Sequence, residues 1–268
     1  MINDTQVARY DREGIVFPIR VLGETEVAGY LSNADELQAR MGDKSVPTDT
    51  ATVHMHLPWA YELVTHTGML DAVERVIGPN IVVWSCSLFA KRAHNPSWVS
   101  WHQDGTYWNL ESDRIVTAWL ALSSSTADNG CMRVVPGSQK LEIQPHMDTF
   151  EDGNLLSRGQ HVDVDVNEDD AVDVVLAPGE MSLHHTQLIH GSNPNRTDQA
   201  RIGFVTRYVT PQVRQRGSKP LAVLARGRDD FGHYKFVGPP PTDRSLDDAV
   251  AALKQTAAEH FRLVMEKK

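Results

Sequence analysis

Between residues 81 and 210 the chain is built of short β-branched and aromatic runs cut by Gly, Pro, Asn and Asp, and this pattern constrains the fold more than any other feature. Residues 81–92, 98–104, 115–122, 132–136, 172–176, 181–185 and 201–210 each read as a strand, and the acidic stretch 163–173 reads as a solvated loop. Strands this short, with turns between them, predict a sandwich or jelly roll. The flanks differ. Residues 4–12, 24–41 and 58–78 read as helices, the last stopped by Gly78-Pro79. Between the first two, residues 14–19 form a short strand whose Pro18 requires a sheet edge. After Pro211 the chain turns basic and then proline-rich, up to a final helix opened by the cap pair Ser245 and Asp248, with Leu246, Val250, Leu253 and Ala257 on one face. The expected organisation is a mainly β protein with helical covers: residues 1–268 as a single domain, with 1–80 a helical cover, 81–210 a sandwich or jelly-roll core and 211–268 a C-terminal extension and helix.

Composition narrows the function. Hydrophobic residues at 41% and charged residues at 23% are values of a globular chain. A formal net charge of −9 with a pI near 5.7 gives no attraction to nucleic acid or anionic lipid. No run approaches the roughly 18 apolar residues of a membrane span. The opening segment MINDTQVARYDREG lacks an apolar signal region. Cys86 and Cys131 form no CxxC and are too few for a disulfide scaffold, so both read as buried small hydrophobes in a reducing, cytoplasmic setting. Neither nucleic acid nor a membrane is an expected partner.

The chemistry concentrates at Trp101-His102-Gln103-Asp104-Gly105. A histidine and a carboxylate two residues apart on a strand share one face, so His102 and Asp104 can grip one ion. Two imidazoles and one carboxylate, with the other side of the metal left open, make the facial triad of non-haem iron oxygenases, which calls for a second histidine. His184, His185 and His190 compete for that place. The first two are adjacent and face opposite ways on a strand, so at most one can join, and both read first as structural. His190 precedes Gly191-Ser192-Asn193-Pro194, a turn that permits close approach, and Arg201 follows it by eleven residues in an otherwise apolar run. A partly buried guanidinium needs an anion, which a dicarboxylate supplies through a bidentate pair.

HxD, then a distal HGS, then Arg, with AWLAL and NGCMRVVPGS between them, resembles the phytanoyl-CoA dioxygenase family of Fe(II)- and 2-oxoglutarate-dependent oxygenases over roughly residues 53–210. The resemblance implies a double-stranded β-helix, the cupin-like jelly roll, with His102, Asp104 and His190 as the iron ligands. It implies that Ser192 and Arg201 hold the distal carboxylate of 2-oxoglutarate, with Trp119 and Thr117 beside it. The implied reaction consumes O2 and releases succinate and CO2. Asp104 occupies the position that iron halogenases leave to alanine or glycine, which favours hydroxylation or a related oxidation. Gln139 departs from the family, many of whose members carry histidine after PGS.

Other residues carry two readings. His54 and His56 alternate like the ligand pair but lie in the helical cover; His56 is a substrate-contact candidate against a structural role. Tyr107, Trp108 and Asn109 are either pocket wall or core. Arg207 shares strand parity with Arg201 and could meet a substrate anion, although a surface salt bridge is the simpler reading. Asn129-Gly130 reads as a turn. The local flavour, WHQDGTYW with LALSSSTADNGCM, favours a small polar or secondary-metabolite substrate over a coenzyme A thioester. The competing class is a cupin-like zinc or manganese protein that binds or hydrolyses a small molecule without dioxygen, which leaves Ser192 and Arg201 without an anion.

Overall fold

A computed structural model describes residues 2–42, 45–106, 108–112, 114–217 and 219–265, the last three of these by backbone alone. Two antiparallel sheets form its centre. The large one runs β1 (Ile15–Arg20), β9 (Glu180–His185), β4 (Ile115–Ala121), β11 (Arg201–Val209), β2 (Ile81–Lys91), β12 (Leu221–Arg226) and β13 (Lys235–Phe236), the last pair alone being parallel. The small one runs β3 (Val99–His102), β10 (His190–Ser192), β5 (Met132–Val134) and β8 (Val172–Val174). A two-stranded ribbon, β6 (His146–Met147) with β7 (His161–Val162), stands apart. From β2 onward the chain passes back and forth between the two main sheets, which is the jelly-roll arrangement expected from the strand pattern.

Strand parity sorts the large sheet's side chains between its two faces. On β4 and β11, Val116, Ala118, Leu120, Ile202 and Phe204 face outward into an apolar cluster shared with the helices. Trp119, Ala121 and Val205 face inward, where they meet Met132, Val134 and Val174 of the small sheet. The helices covering the outer face are α1 (Asp4–Glu13), α2 (Glu24–Met41), α3 (Pro58–Val64), α4 (Thr67–Ile77) and α5 (Leu246–Met265). Asn3 starts α1 through a reciprocal capping box with Gln6. Ser245 starts α5, its hydroxyl accepting from the Asp248 backbone N–H at 3.1 Å. Pro18 lies on β1, at the sheet edge, as its missing N–H requires.

The structure corrects four expectations. The helix expected over 58–78 is two helices: His66 takes an extended backbone and caps α4, its ring nitrogen accepting from the Gly68 N–H. The C-terminal stretch read as an extension and helix also holds β12, which extends the large sheet beside β2. Residues 190–192 form a strand rather than opening a turn, paired with β3 on one side and β5 on the other. Asp104 lies just beyond β3, in a single 3-10 turn over Asp104–Thr106. No helix of the described residues is long and apolar enough to cross a membrane.

Candidate metal and dicarboxylate site

His102 and His190 are direct cross-strand partners on β3 and β10, which explains how residues far apart in sequence come to share a site. Their ring centroids lie 4.1 Å apart. Gly191 permits this pairing, since a Cβ there would lie 2.9 Å from the Val99 carbonyl oxygen. The turn after β3 brings Asp104 to the same point, so that one nitrogen of each imidazole and one carboxylate oxygen lie within 4.8 Å of one another.

Hydrogen bonding fixes what these atoms can do. His102 Nδ1 lies 2.9 Å from the Ser100 carbonyl, and His190 Nδ1 lies 2.9 Å from the Leu188 carbonyl. Only an N–H satisfies a carbonyl, so each ring is protonated at Nδ1, which leaves Nε2 as the atom that can meet a metal. Burial and the nearby His102 ring push the His190 pKa down to about 3, which keeps it neutral at ordinary pH. Burial works against the Asp104 carboxylate, yet the His102 and His190 rings and the Arg207 guanidinium hold its pKa below the usual carboxylate range. His102 Nε2 lies 3.4 Å from Asp104 Oδ1. Two imidazole nitrogens and a carboxylate oxygen converging on one point make a donor set that fits a divalent metal. Thr117 Oγ1 approaches the other Asp104 oxygen at 3.4 Å.

A second feature lies to one side. Arg201 is 2% exposed, its Nη2 donates to the Gly130 carbonyl at 2.9 Å, and its Nε has no partner. Its guanidinium lies over the Trp119 ring at 5.3 Å. Gly203 makes room for that indole, since a Cβ there would fall 2.1 Å from it. Opposite Arg201 in the β11–β2 ladder stands Lys91, fully buried, its ammonium donating to Ser192 Oγ at 2.6 Å and to the Asn193 carbonyl. Burial, reinforced by Arg201, pushes the Lys91 pKa down to about 6. Among the described residues neither cation has a carboxylate partner. Arg201 and Ser192 line the cavity, with the Lys91 amine behind Ser192, and this buried guanidinium and hydroxyl form a receptor for an anion.

His102, Asp104, His190 and Arg201 open onto one cavity of about 130 Å³, also lined by Thr117, Trp119, His184, Ser192 and Val205. Trp108 and Arg207 line it too; among the described residues Arg207 makes no ion pair, unlike the surface salt bridge preferred from sequence, and its Nη1 donates to Ser87 Oγ at 2.8 Å. Tyr107 falls outside the described residues. Asn109 and His56 are not among the cavity's residues. His56 instead bonds through Nε2 to Thr256 Oγ1 at 2.7 Å, fastening α5 to the segment before α3. His54 bonds to the Cys86 thiol, and both cysteines are buried and unpaired. Gln139 reaches the backbone of Asp11 and Arg12, binding α1 rather than the site. His185 lies outside the cavity, whereas His184 faces it, its Nε2 3.9 Å from Asp104 Oδ2 and neither ring nitrogen hydrogen-bonded.

Lys91, Trp84 and His260 enter the picture only through the fold. Lys91 left a trace in the sequence, as a charge closing the strand-like run Ser87-Leu88-Phe89-Ala90. Trp84 and Ser85 both reach the cavity because of a β-bulge: Arg207 pairs with Ser85 and Tyr208 with Val83, leaving Trp84 as the extra residue. His260, on α5, packs its ring 5.0 Å from that of Trp84.

A jelly roll whose inner wall carries two imidazoles, one carboxylate and a set-back guanidinium defines the class of facial-triad metal oxygenase folds. The chain belongs to the phytanoyl-CoA dioxygenase family, whose model matches residues 10–203. It is 34% identical over 138 residues to human peroxisomal phytanoyl-CoA dioxygenase, covering 50% of this chain and 40% of that one. It is 28% identical over 152 residues to the probable alpha-ketoglutarate-dependent hypophosphite dioxygenase of Stutzerimonas stutzeri, covering 54% and 50%. The chain thus spans half or less of the length of these curated relatives. The apo form of the non-heme monooxygenase ThoJ superposes with a TM-score of 0.82 at 30% identity, covering 97% of both chains.

Proposed function

We propose that the chain is an Fe(II)- and 2-oxoglutarate-dependent dioxygenase that hydroxylates, or otherwise oxidises, a C–H bond of a small polar or secondary-metabolite substrate. The observation that carries this reading is the pairing of two features: ligand atoms of His102, Asp104 and His190 converging on one point, and a buried Ser192–Arg201 receptor, backed by Lys91, with no described carboxylate in it. The zinc or manganese hydrolase alternative uses the first feature and leaves the second unexplained.

In this reading His102, Asp104 and His190 hold the iron, which when bound supplies the activation of O2 that is coupled to decarboxylation of 2-oxoglutarate to succinate and CO2. Arg201 and Ser192 bind the cosubstrate's distal carboxylate through charge-assisted hydrogen bonds, with Lys91 backing Ser192 from behind. Trp119 closes over the Arg201 guanidinium and excludes water from that end, while Thr117 steadies Asp104. The sheets' inward apolar side chains keep the reacting region dry. Residues 1–268 act in this reading as one domain, supported by an apolar cluster that draws on Ile2 and Tyr10 at one end of the chain and Leu253 and Ala257 at the other.

Anaerobic addition of iron(II) and then 2-oxoglutarate should produce a weak visible charge-transfer band in the green. Absence of the band, together with turnover supported by zinc alone, would give the site to the hydrolase class.

A further inference from the structure

The inward face of β11 carries a cation near each end, Arg201 and Arg207. Six residues of strand separate their backbones by about 20 Å, so one dicarboxylate anchored at Arg201 and reaching toward the metal ligands does not also occupy Arg207. Arg207 lies on the other side of the metal ligands, among different neighbours. It pairs across the sheet with Thr117, which touches Asp104, and its guanidinium lies 5.5 Å from the Trp108 ring. Its one hydrogen bond to a described residue goes to Ser87 Oγ, and no described carboxylate comes within ion-pair distance of it. Ser87 accepts that bond and keeps its own hydroxyl hydrogen to donate elsewhere.

Charge counting points the same way. Asp104 is the one carboxylate among the described residues lining the cavity, against Arg201 and Arg207. A divalent metal and a 2-oxoglutarate dianion cancel, so a fully loaded site still carries excess positive charge. A guanidinium in that position is costly unless an anion arrives. Around it the walls are aromatic: Trp84, turned inward by the bulge, Trp108, its ring centroid 5.3 Å from that of Trp84, and His260 and Phe261 of α5.

We propose that Arg207 and Ser87 bind a carboxylate of the substrate, and that the substrate's apolar or ring-bearing body lies between Trp84, Trp108 and Phe261 with its reacting carbon toward the metal ligands. The substrate class is thus a small organic acid with a planar or hydrocarbon body, not a cation and not a neutral polyol. A carboxylate suits the place because the planar guanidinium and the adjacent hydroxyl offer donors in one fork. This inference rests on the oxygenase reading for the position of the metal and of 2-oxoglutarate.

The test uses the full chain loaded with zinc(II) in place of iron and with saturating 2-oxoglutarate, so that nothing turns over. Phenylacetate, 3-phenylpropionate, 4-phenylbutyrate and 3-indolepropionate are each titrated beside the corresponding primary amide, with affinity read by ligand-observed NMR. At least one acid should bind about tenfold or more tightly than its amide. Arg207→Gln should erase that preference, Arg207→Lys should keep part of it, and both should bind 2-oxoglutarate as the wild type does. Equal binding of every acid and its amide, binding of none, or a preference that survives Arg207→Gln would overturn the proposal. The acid-to-amide comparison stands on the wild type alone if a variant fails to fold. Failure of the wild type to bind 2-oxoglutarate at all would instead sink the oxygenase reading on which the proposal rests.

Discussion

A lysine with no accessible surface and no acid beside it is an expensive residue, and Lys91 is the side chain that most sharpens the site. With its pKa pushed down to about 6 by burial and by Arg201, it is largely neutral at pH 7.5 in the ligand-free protein. A bound dicarboxylate raises that pKa, so cosubstrate binding should take up a proton between about pH 6 and the raised value, and none below. Calorimetric titration of 2-oxoglutarate into metal-loaded protein at pH 7.5, in buffers of different ionisation enthalpy, should show uptake approaching one proton per site, lost in Lys91→Met. Proton release in the wild type would refute it. Arg201→Leu removes a charge-assisted pair and should raise the 2-oxoglutarate KM by roughly thirtyfold, about 2 kcal/mol; an unchanged KM would move the carboxylate anchor elsewhere. His102 and Asp104 were legible because their spacing is local, and His190 and Arg201 because their surroundings repeat a family pattern. Lys91 was not, because its meaning depends on the register that sets it opposite a residue 110 positions later.

At the scale of elements, α5 does two things at once. Its Val250, Leu253 and Ala257 enter the apolar cluster on the outer sheet face, as the helix periodicity anticipated. Its later turns bring His260 and Phe261 to the cavity, which periodicity could not show, because the cavity wall opposite belongs to strands far away in sequence. Thr256 sits between the two roles, bonded to Thr52 Oγ1 and His56 Nε2, each at 2.7 Å. Thr256→Val should cost about 2 kcal/mol by leaving His56 buried and unsatisfied, and so lower the melting temperature by a few degrees. Affinity for 2-oxoglutarate should stay as it was, since Arg201 and Lys91 lie on other elements; a loss there would mean that α5 supports the whole cavity. The three-residue β10 escaped the sequence for a plain reason: His-Gly-Ser carries no alternation, and its strand geometry comes from partners on both sides. The break between α3 and α4 was hidden by an apolar pattern that continues across Thr65 and His66.

At the scale of the molecule, metal and cosubstrate should behave as ligands of the folded state alone. At a 2-oxoglutarate concentration a hundredfold above Kd the gain is about 2.7 kcal/mol, visible as a rise in melting temperature. This rise should require a divalent metal, and Asp104→Ala should abolish both it and turnover. An equal rise without metal would separate the carboxylate receptor from the metal ligands.

The ladder between β11 and its two neighbours places Arg201 and Arg207 on the inner wall by the same parity. A slip of one position along that ladder would send both guanidiniums into the hydrocarbon under the helices and expose Phe204 to the cavity. Both ends of the catalytic chamber would go blind in one stroke, although every residue that matters would still be present. The side chains lining the far end can therefore be exchanged to suit another ligand, but the alignment of this central strand cannot shift without taking both guanidiniums off the wall.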